Sequence, residues 1–153
     1  MVDHVAISKR SEIMRAVRSR DTGPERVVRS VLHCLGFRFR LHRRDLPGRP
    51  DIVLVKRRIA IFVNGCFWHR HPGCAKATAP KTNVTFWQSK FQQNVDRDTK
   101  NYSALRSLGY RVVVVWQCEI KSRSATARVL THRVRVDRAG IGNRGGSARS
   151  ESR

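Results

Sequence analysis

The stretch Pro50-Asp51-Ile52-Val53-Leu54-Val55-Lys56-Arg57-Arg58-Ile59-Ala60-Ile61-Phe62-Val63-Asn64-Gly65 decides the fold. Two short apolar runs rich in β-branched residues flank three consecutive cations. Residues 51–55 and 59–63 therefore read as strands joined by a tight basic turn, and Asn64-Gly65 ends the second. Upstream, Leu46-Pro47-Gly48-Arg49-Pro50 is a turn. Before it, Phe37, Phe39 and Leu41 alternate with Arg38, Arg40 and His42, which predicts a strand with one buried face. Val27, Val28, Val31, Leu32 and Leu35 keep helical spacing. Thr22 and Glu25 stand at capping-box spacing at the start of that helix, Pro24 suits its first turn, and Gly36 suits its left-handed end. Residues 8–20, with Ile13, Met14 and Val17 among cations, read as a short basic amphipathic helix.

Downstream, residues 66–85 are rich in Cys, His, Pro, Gly and Thr and show no period. An irregular stretch of that length needs an internal staple or a function. Trp87, Phe91, Val95, Tyr102, Leu105 and Leu108 then mark a long helix over 86–108, stopped by Gly109. Tyr110 to Trp116 reads as a strand covered on both faces, and 121–136 as a last helix. The order predicts one mixed α/β domain over residues 1–136, with about four strands between helices. Residues 137–153, rich in Gly, Ser and Arg, read as a basic disordered tail.

The chain has 153 residues, 32 Lys+Arg, 11 Asp+Glu and a formal net charge of +21. Residues 1–120 carry 23 basic and 9 acidic side chains, and residues 121–153 carry 9 and 2, so the tail does not account for the charge. A polyanion partner is implied, with nucleic acid ahead of an anionic membrane surface. The longest apolar runs, such as Val112 to Trp116, are strand length, and no secretory signal is visible.

Two clusters carry chemistry. Cys66-Phe67-Trp68-His69-Arg70-His71-Pro72-Gly73-Cys74 places two thiols and two imidazoles within nine residues. With Cys118, just after the last strand, and one of the two histidines they make a tetrahedral zinc set. Spacing leaves His69 and His71 open as the fourth ligand. Cys34 falls within an apolar helical pattern and reads as a small buried hydrophobe. The second cluster centres on Asp51, an acid among Arg43, Arg44 and Arg49. An Asp at such a strand edge is a Mg²⁺ ligand in many nucleases. The next strand lacks an acidic-x-Lys element, a backbone carbonyl would serve in its place, and His69 lies just beyond as a candidate general base.

Several strings together resemble one family, the very short patch repair (Vsr) DNA mismatch endonucleases: Lys9 to Ala16, Arg20-Asp21-Thr22 with Glu25, Leu46 to Asp51, Gly65-Cys66-Phe67-Trp68-His69, Phe86-Trp87 with Lys90 and Asn94 to Asp98, and Gly109 to Glu119. They run in order over residues 8–120. The resemblance implies a restriction-endonuclease-like fold, a mixed sheet flanked by helices with a structural zinc. It implies nicking of one strand beside the T of a T:G mismatch left by 5-methylcytosine deamination. By the same resemblance Asp51 and the Val63 carbonyl bind catalytic Mg²⁺, His69 is the base, and Glu25 supports the site. Cys66, His71, Cys74 and Cys118 hold zinc. Phe67, Trp68 and Trp87 wedge into the stack, Met14 enters from the other groove, and Lys90 and Asn94 contact DNA.

Some family members carry Thr-His where this chain has Val63-Asn64. Asn64 hydrogen-bonds a water or phosphate but takes no proton as imidazole does. Glu25 keeps two readings, site residue and capping partner. The packing reading also stands for Trp87, whose helical period suits a core.

A bacterial cytoplasmic, nucleoid-associated monomer is expected, acting on mismatched duplex DNA with mismatch-repair proteins and a repair polymerase as partners. The competing readings are a non-catalytic zinc-stapled protein that binds damaged DNA, and a nuclease of the same fold acting on junctions or unmodified sites.

Overall fold

The computed structural model describes residues 19–135 together with residues 9, 12, 14, 16 and 17. In chain order its elements are α1 (Gly23–Cys34), β1 (Arg40–Leu41), β2 (Ile52–Leu54), β3 (Ile59–Asn64), α2 (Val84–Ser107), β4 (Arg111–Trp116) and α3 (Arg123–Arg135). The described strands form one sheet in the order β1-β2-β3-β4. The first two pairings are antiparallel and β3–β4 is parallel, making a mixed sheet. The predicted basic tail lies outside the described residues. Of the predicted N-terminal helix, Lys9, Glu12, Met14 and Ala16 are helical.

Residues 50–65 form the two strands and basic turn that their pattern predicts. Ile52 pairs with Ile61, Val53 with Ala60 and Leu54 with Ile59. The basic turn is one 3-10 turn over Val55–Arg57, closed by Arg58 in the left-handed region at φ 51. Val55 leaves the strand for that turn and is exposed.

Alternate residues feed two cores, because side chains of a strand point to opposite faces. Ile52, Leu54, Ile59, Ile61, Val113 and Val115 pack with Val28, Val31 and Leu32 of α1 and Leu130 and Val134 of α3. Val53, Ala60 and Phe62 pack on the other face with Leu46 and with Leu105 of α2. Helices on both faces explain why these strands are unbroken apolar runs rather than alternating ones. Ile61 is completely buried. We expect Ile61→Ala to destabilise the chain by about 3 kcal/mol, read as a lower denaturant midpoint.

Helix α1 starts where its capping residues place it. The Thr22 side chain accepts from the Glu25 N–H at 3.4 Å. The Glu25 carboxylate reaches back to the N–H of Asp21 at 3.0 Å, one residue before the cap. Gly36 ends the helix at φ 82.

Three expectations are corrected. The strand over Phe37–Leu41 shrinks to two residues, and Leu41 is exposed rather than inward, because only Arg40 and Leu41 find partners on β2. Cys34 is exposed, not buried. Val28, Val31 and Leu32 set the inner stripe of α1, and Cys34 falls outside it, within 3.4 Å of the Arg123 guanidinium. The long helix begins at Val84, two residues early.

Candidate functional site

Register brings the site together at one edge of the sheet. Asp51 immediately precedes β2, whose antiparallel pairing sets it near the end of β3. The parallel pairing of Asn64 with Trp116 makes β3 and β4 finish side by side. Cys66 and Cys118 each lie two residues past that pair, so equal offsets from one register bring them together.

Cys66, His71, Cys74 and Cys118 have donor atoms all within 4.8 Å of one another. His71 Nδ1 lies 3.3 Å from Cys118 Sγ, and its ring stacks on Trp116 at 4.2 Å. Burial and the neighbouring thiols of Cys66 and Cys74 push the Cys118 thiol up to about 11. Such crowding is unfavourable for thiolates alone and is relieved by a cation among them. A tetrahedron of ~2.3 Å metal–sulfur bonds has edges of about 3.8 Å, so three sulfurs and one imidazole at this spacing fit a closed soft-ligand site. Glu119 steadies the turn that carries Cys118. It accepts from the Trp116 N–H at 2.9 Å and takes both arms of the Arg133 fork, at 2.8 and 2.5 Å.

His69, the other candidate, turns away from the thiols. Its Nδ1 is 2.5 Å from Asp98 Oδ2 on α2. A carboxylate only accepts, so Nδ1 carries the proton and Nε2 is the basic nitrogen. Asp98 stands in a motif of the sequence, but its pairing with His69 is visible only once α2 lies under the loop.

A cleft of about 790 Å³ opens beside this dyad, lined by Asp51, Glu25, Val63, His69 and Asp98 among others. Asp51 is 17% exposed. Its Oδ2 accepts from the Val63 N–H at 2.8 Å. Burial, aided by the charge of Glu25, raises Asp51 to about 7, against the opposing pull of Val63, His69 and Arg29. A carboxylate made this unfavourable without a counter-ion is a ligand prepared for a cation.

Glu25 keeps both readings at once: it caps α1 and lies 3% exposed in the cleft wall. Its Oε2 accepts from Arg29 at 3.1 Å. The same guanidinium meets Asp21 at 2.7 Å, holding that carboxyl below its usual range, and His42 Nε2 at 2.9 Å. A guanidinium only donates, so His42 Nε2 accepts. His42 Nδ1 faces Asp51 Oδ1 at 4.0 Å. Sequence reading passes over Arg29 and His42, although Arg29 stands four residues after Glu25 on α1, the spacing that pairs opposite charges on one helix face. The backbone does mark the region: Asp21, His42 and Arg49 all have positive φ. Left-handed non-glycine residues gathered round one cleft are a sign of a functional constraint.

The remaining assigned residues divide. Met14, Trp68 and Lys90 line the cleft, with Arg20, Arg44, Arg49 and Arg97 around them. Arg43 turns aside to pair with Asp45. Asn64 is buried and donates to the Tyr102 hydroxyl at 2.9 Å. Asn94, expected as a DNA contact, is 7% exposed and donates to the Trp68 carbonyl at 3.1 Å. Trp87 is 5% exposed, inside a ring cluster with Phe67, Trp68 and Phe91 at centroid distances of 5.6–6.1 Å. In this conformation it packs as its helical period suggests. Phe86, which sequence reading does not single out as a contact, is the exposed neighbour at 49%.

The sequence model of the family "DNA mismatch endonuclease Vsr" matches residues 2–76. The chain is 49% identical over 125 residues to the type II nicking enzyme V.XorIIP of Xanthomonas oryzae pv. oryzae, covering 82% of this chain and 91% of that one. It is 42% identical over 135 residues to the type II nicking enzyme V.NmeAIP of Neisseria meningitidis, covering 88% and 96%. It is 43% identical over 126 residues to the DNA mismatch endonuclease Vsr of Escherichia coli, covering 82% and 80%.

Proposed function

We propose, because the chain belongs to the DNA mismatch endonuclease Vsr family, that it is a DNA endonuclease which nicks one strand of a duplex beside the T of a T:G mismatch. The observation that carries this reading is the convergence of Asp51, Glu25 and the His69–Asp98 pair on one cleft rimmed by cations. The restriction-endonuclease-like architecture belongs to the same proposal. The mixed sheet with its acidic edge supports it.

Asp51 Oδ1 and the Val63 carbonyl would hold a magnesium ion, whose chemistry is to polarise the scissile phosphate and acidify a bound water. His69 Nε2 takes the proton from the attacking water, and Asp98 holds the imidazole in the tautomer that can do so. Lys90, Arg20, Arg44 and Arg97 set the duplex by its phosphates, supplying affinity that falls with salt. Trp68 and Phe67 replace stacking lost at the mismatch, where unstacking costs least. Asn64 acts through Tyr102 in shaping the cleft floor, and Asn94 holds the Trp68 backbone. Cys66, His71, Cys74 and Cys118 would hold zinc, which ties the loop to the ends of β3 and β4.

The test is a nicking assay on duplexes that differ only in one pair, with T:G, other mismatches and the matched pair. Cleavage of T:G alone is the expected result. Equal cutting of matched duplex would remove mismatch specificity, and binding without any cutting would remove the enzyme reading. Asp98→Asn should lower the rate about 10²–10⁴-fold, with binding of T:G duplex retained. An unchanged single-turnover rate would remove Asp98 from the mechanism.

A further inference from the structure

Another cavity, of about 450 Å³, opens at the opposite end of the sheet from the cleft. It is lined by Leu54, which pairs with Ile59 where β3 begins, whereas Asn64, where β3 ends, lines the cleft. At ~3.3 Å per residue the two ends of that strand lie about 17 Å apart. Helix α1 also runs between them, with Glu25 at the cleft and Leu35, its C-terminal cap, at the cavity. Leu35, Phe37 and Leu54 give the cavity an apolar floor. The exposed side chains of Arg38, Lys56, Arg57 and Arg135 stand round it, with no acid among the lining residues. We propose that this cavity docks an acidic segment of a partner protein, with one large apolar side chain of that segment entering between the cations.

The fold does not use these cations. The side chains of Arg38, Lys56 and Arg135 make no ion pair or hydrogen bond with any described residue, and Arg57 lies over the Phe37 ring at 5.0 Å. The helix ends at the cavity are already capped. In α1 the carbonyls of Val31, Leu32 and His33 accept from the N–H groups of Leu35, Phe37 and Gly36. In α3 the carbonyls of Arg133 and Val134 accept from the Arg111 guanidinium. Like charges round one hollow repel one another, and an anion between them removes that cost. Shape selects the anion. A duplex offers phosphates on a convex surface and makes contacts of charge alone, which leaves an apolar floor wet. An acidic segment with an apolar residue meets both parts: its carboxylates reach the cations and its side chain covers the floor. The chain carries +21, and its residues 137–153 hold four Arg against Asp137 and Glu151, so its own tail and a second copy are both poor occupants.

The experiment titrates the full chain, purified without chelator, into a fluorescein-labelled acidic peptide with one central phenylalanine, at physiological salt, and reads fluorescence anisotropy. Two further peptides replace the phenylalanine by alanine, or the acids by serine. Each is expected to bind about tenfold more weakly or worse. Arg38→Glu with Lys56→Glu is expected to weaken the parent peptide by about tenfold or more. Lys100→Glu with Lys121→Glu, an equal change of net charge at exposed sites elsewhere, is expected to cost no more than about twofold. In wild type the amide NMR signals of Gly36, Arg38 and Arg57 are expected to shift with the peptide, which locates it without any substitution. Saturating duplex DNA is expected to leave the peptide bound. No binding by wild type, equal binding of the alanine peptide, or equal loss in both charge-reversal pairs would overturn the proposal. Displacement by duplex would also overturn it, and with the same amides shifting under duplex the cavity would be a nucleic-acid site instead.

Discussion

Replacing Asp51 by asparagine is expected to abolish nicking and yet make the metal-free chain more stable above pH 7. Burial and the charge of Glu25 raise the Asp51 carboxyl to about 7 in the folded chain, against about 3.9 when unfolded. Between those values the folded state holds a proton that the unfolded state has released. The stability this gives is fully present below pH 4 and is lost as the pH rises through 7. The ceiling on that loss is about 4 kcal/mol, since a tenfold change in proton affinity between the two states is worth about 1.36 kcal/mol. Asparagine is isosteric, keeps an acceptor for the Val63 N–H, and carries no charge. Its melting temperature should therefore exceed that of wild type at pH 8 and match it near pH 4. Added magnesium should stabilise wild type and leave the variant unchanged, since ligands that bind only the folded state raise its stability. A variant that is less stable at pH 8, or that still nicks T:G duplex, would show that Asp51 is not a metal ligand held at an energetic cost.

The second large effect is expected at Cys118. Cys118→Ser should strip the thiol cluster of its ion and cost most of the chain's stability. Structural zinc binding contributes on the order of 10 kcal/mol in small domains, comparable with the whole stability of a domain this size. Here the loss falls on a long irregular loop. With the cluster gone, residues 66–83 lose their tie to the ends of β3 and β4 and are held from α2, by Asp98 on His69, Asn94 on the Trp68 carbonyl and the Trp87 and Phe91 rings against Phe67 and Trp68. Mass-spectrometric metal analysis should find about one zinc per wild-type chain and none in the variant, with chain unfolding followed by circular dichroism. A folded wild-type preparation without zinc would end the assignment. His69→Ala provides the contrast: it should keep zinc and stability while losing activity, because His69 pairs with Asp98 and not with the thiols.

Cys34 and Asn94 show where reading from sequence stops, because each takes its place from something other than its neighbours in the chain. Cys34 shares a helix with Val31 and Leu32 but lies off their stripe. Asn94, a DNA contact by the family resemblance, is turned inward, where it donates to the Trp68 carbonyl of the loop. Both outcomes depend on a rotation of about 100° per residue round a helix and on what the helix meets. Period alone does not supply the second.

The amino-acid sequence by itself determined the strands, the helices and their order, because local periodicity and caps act over a few residues. Through its Cys and His spacing it also marked the loop after β3 as a candidate soft-metal site. Spacing left both histidines open and the family resemblance implied His71; only the tertiary structure sets His71 among the thiols and pairs His69 with Asp98. It alone revealed Arg29 and His42 at the carboxylates. These choices turn on contacts between residues 4 to 47 positions apart, whose geometry is set by strand register and helix packing. Of these, only the Glu25–Arg29 pair, four residues apart on one helix, follows from a local pattern.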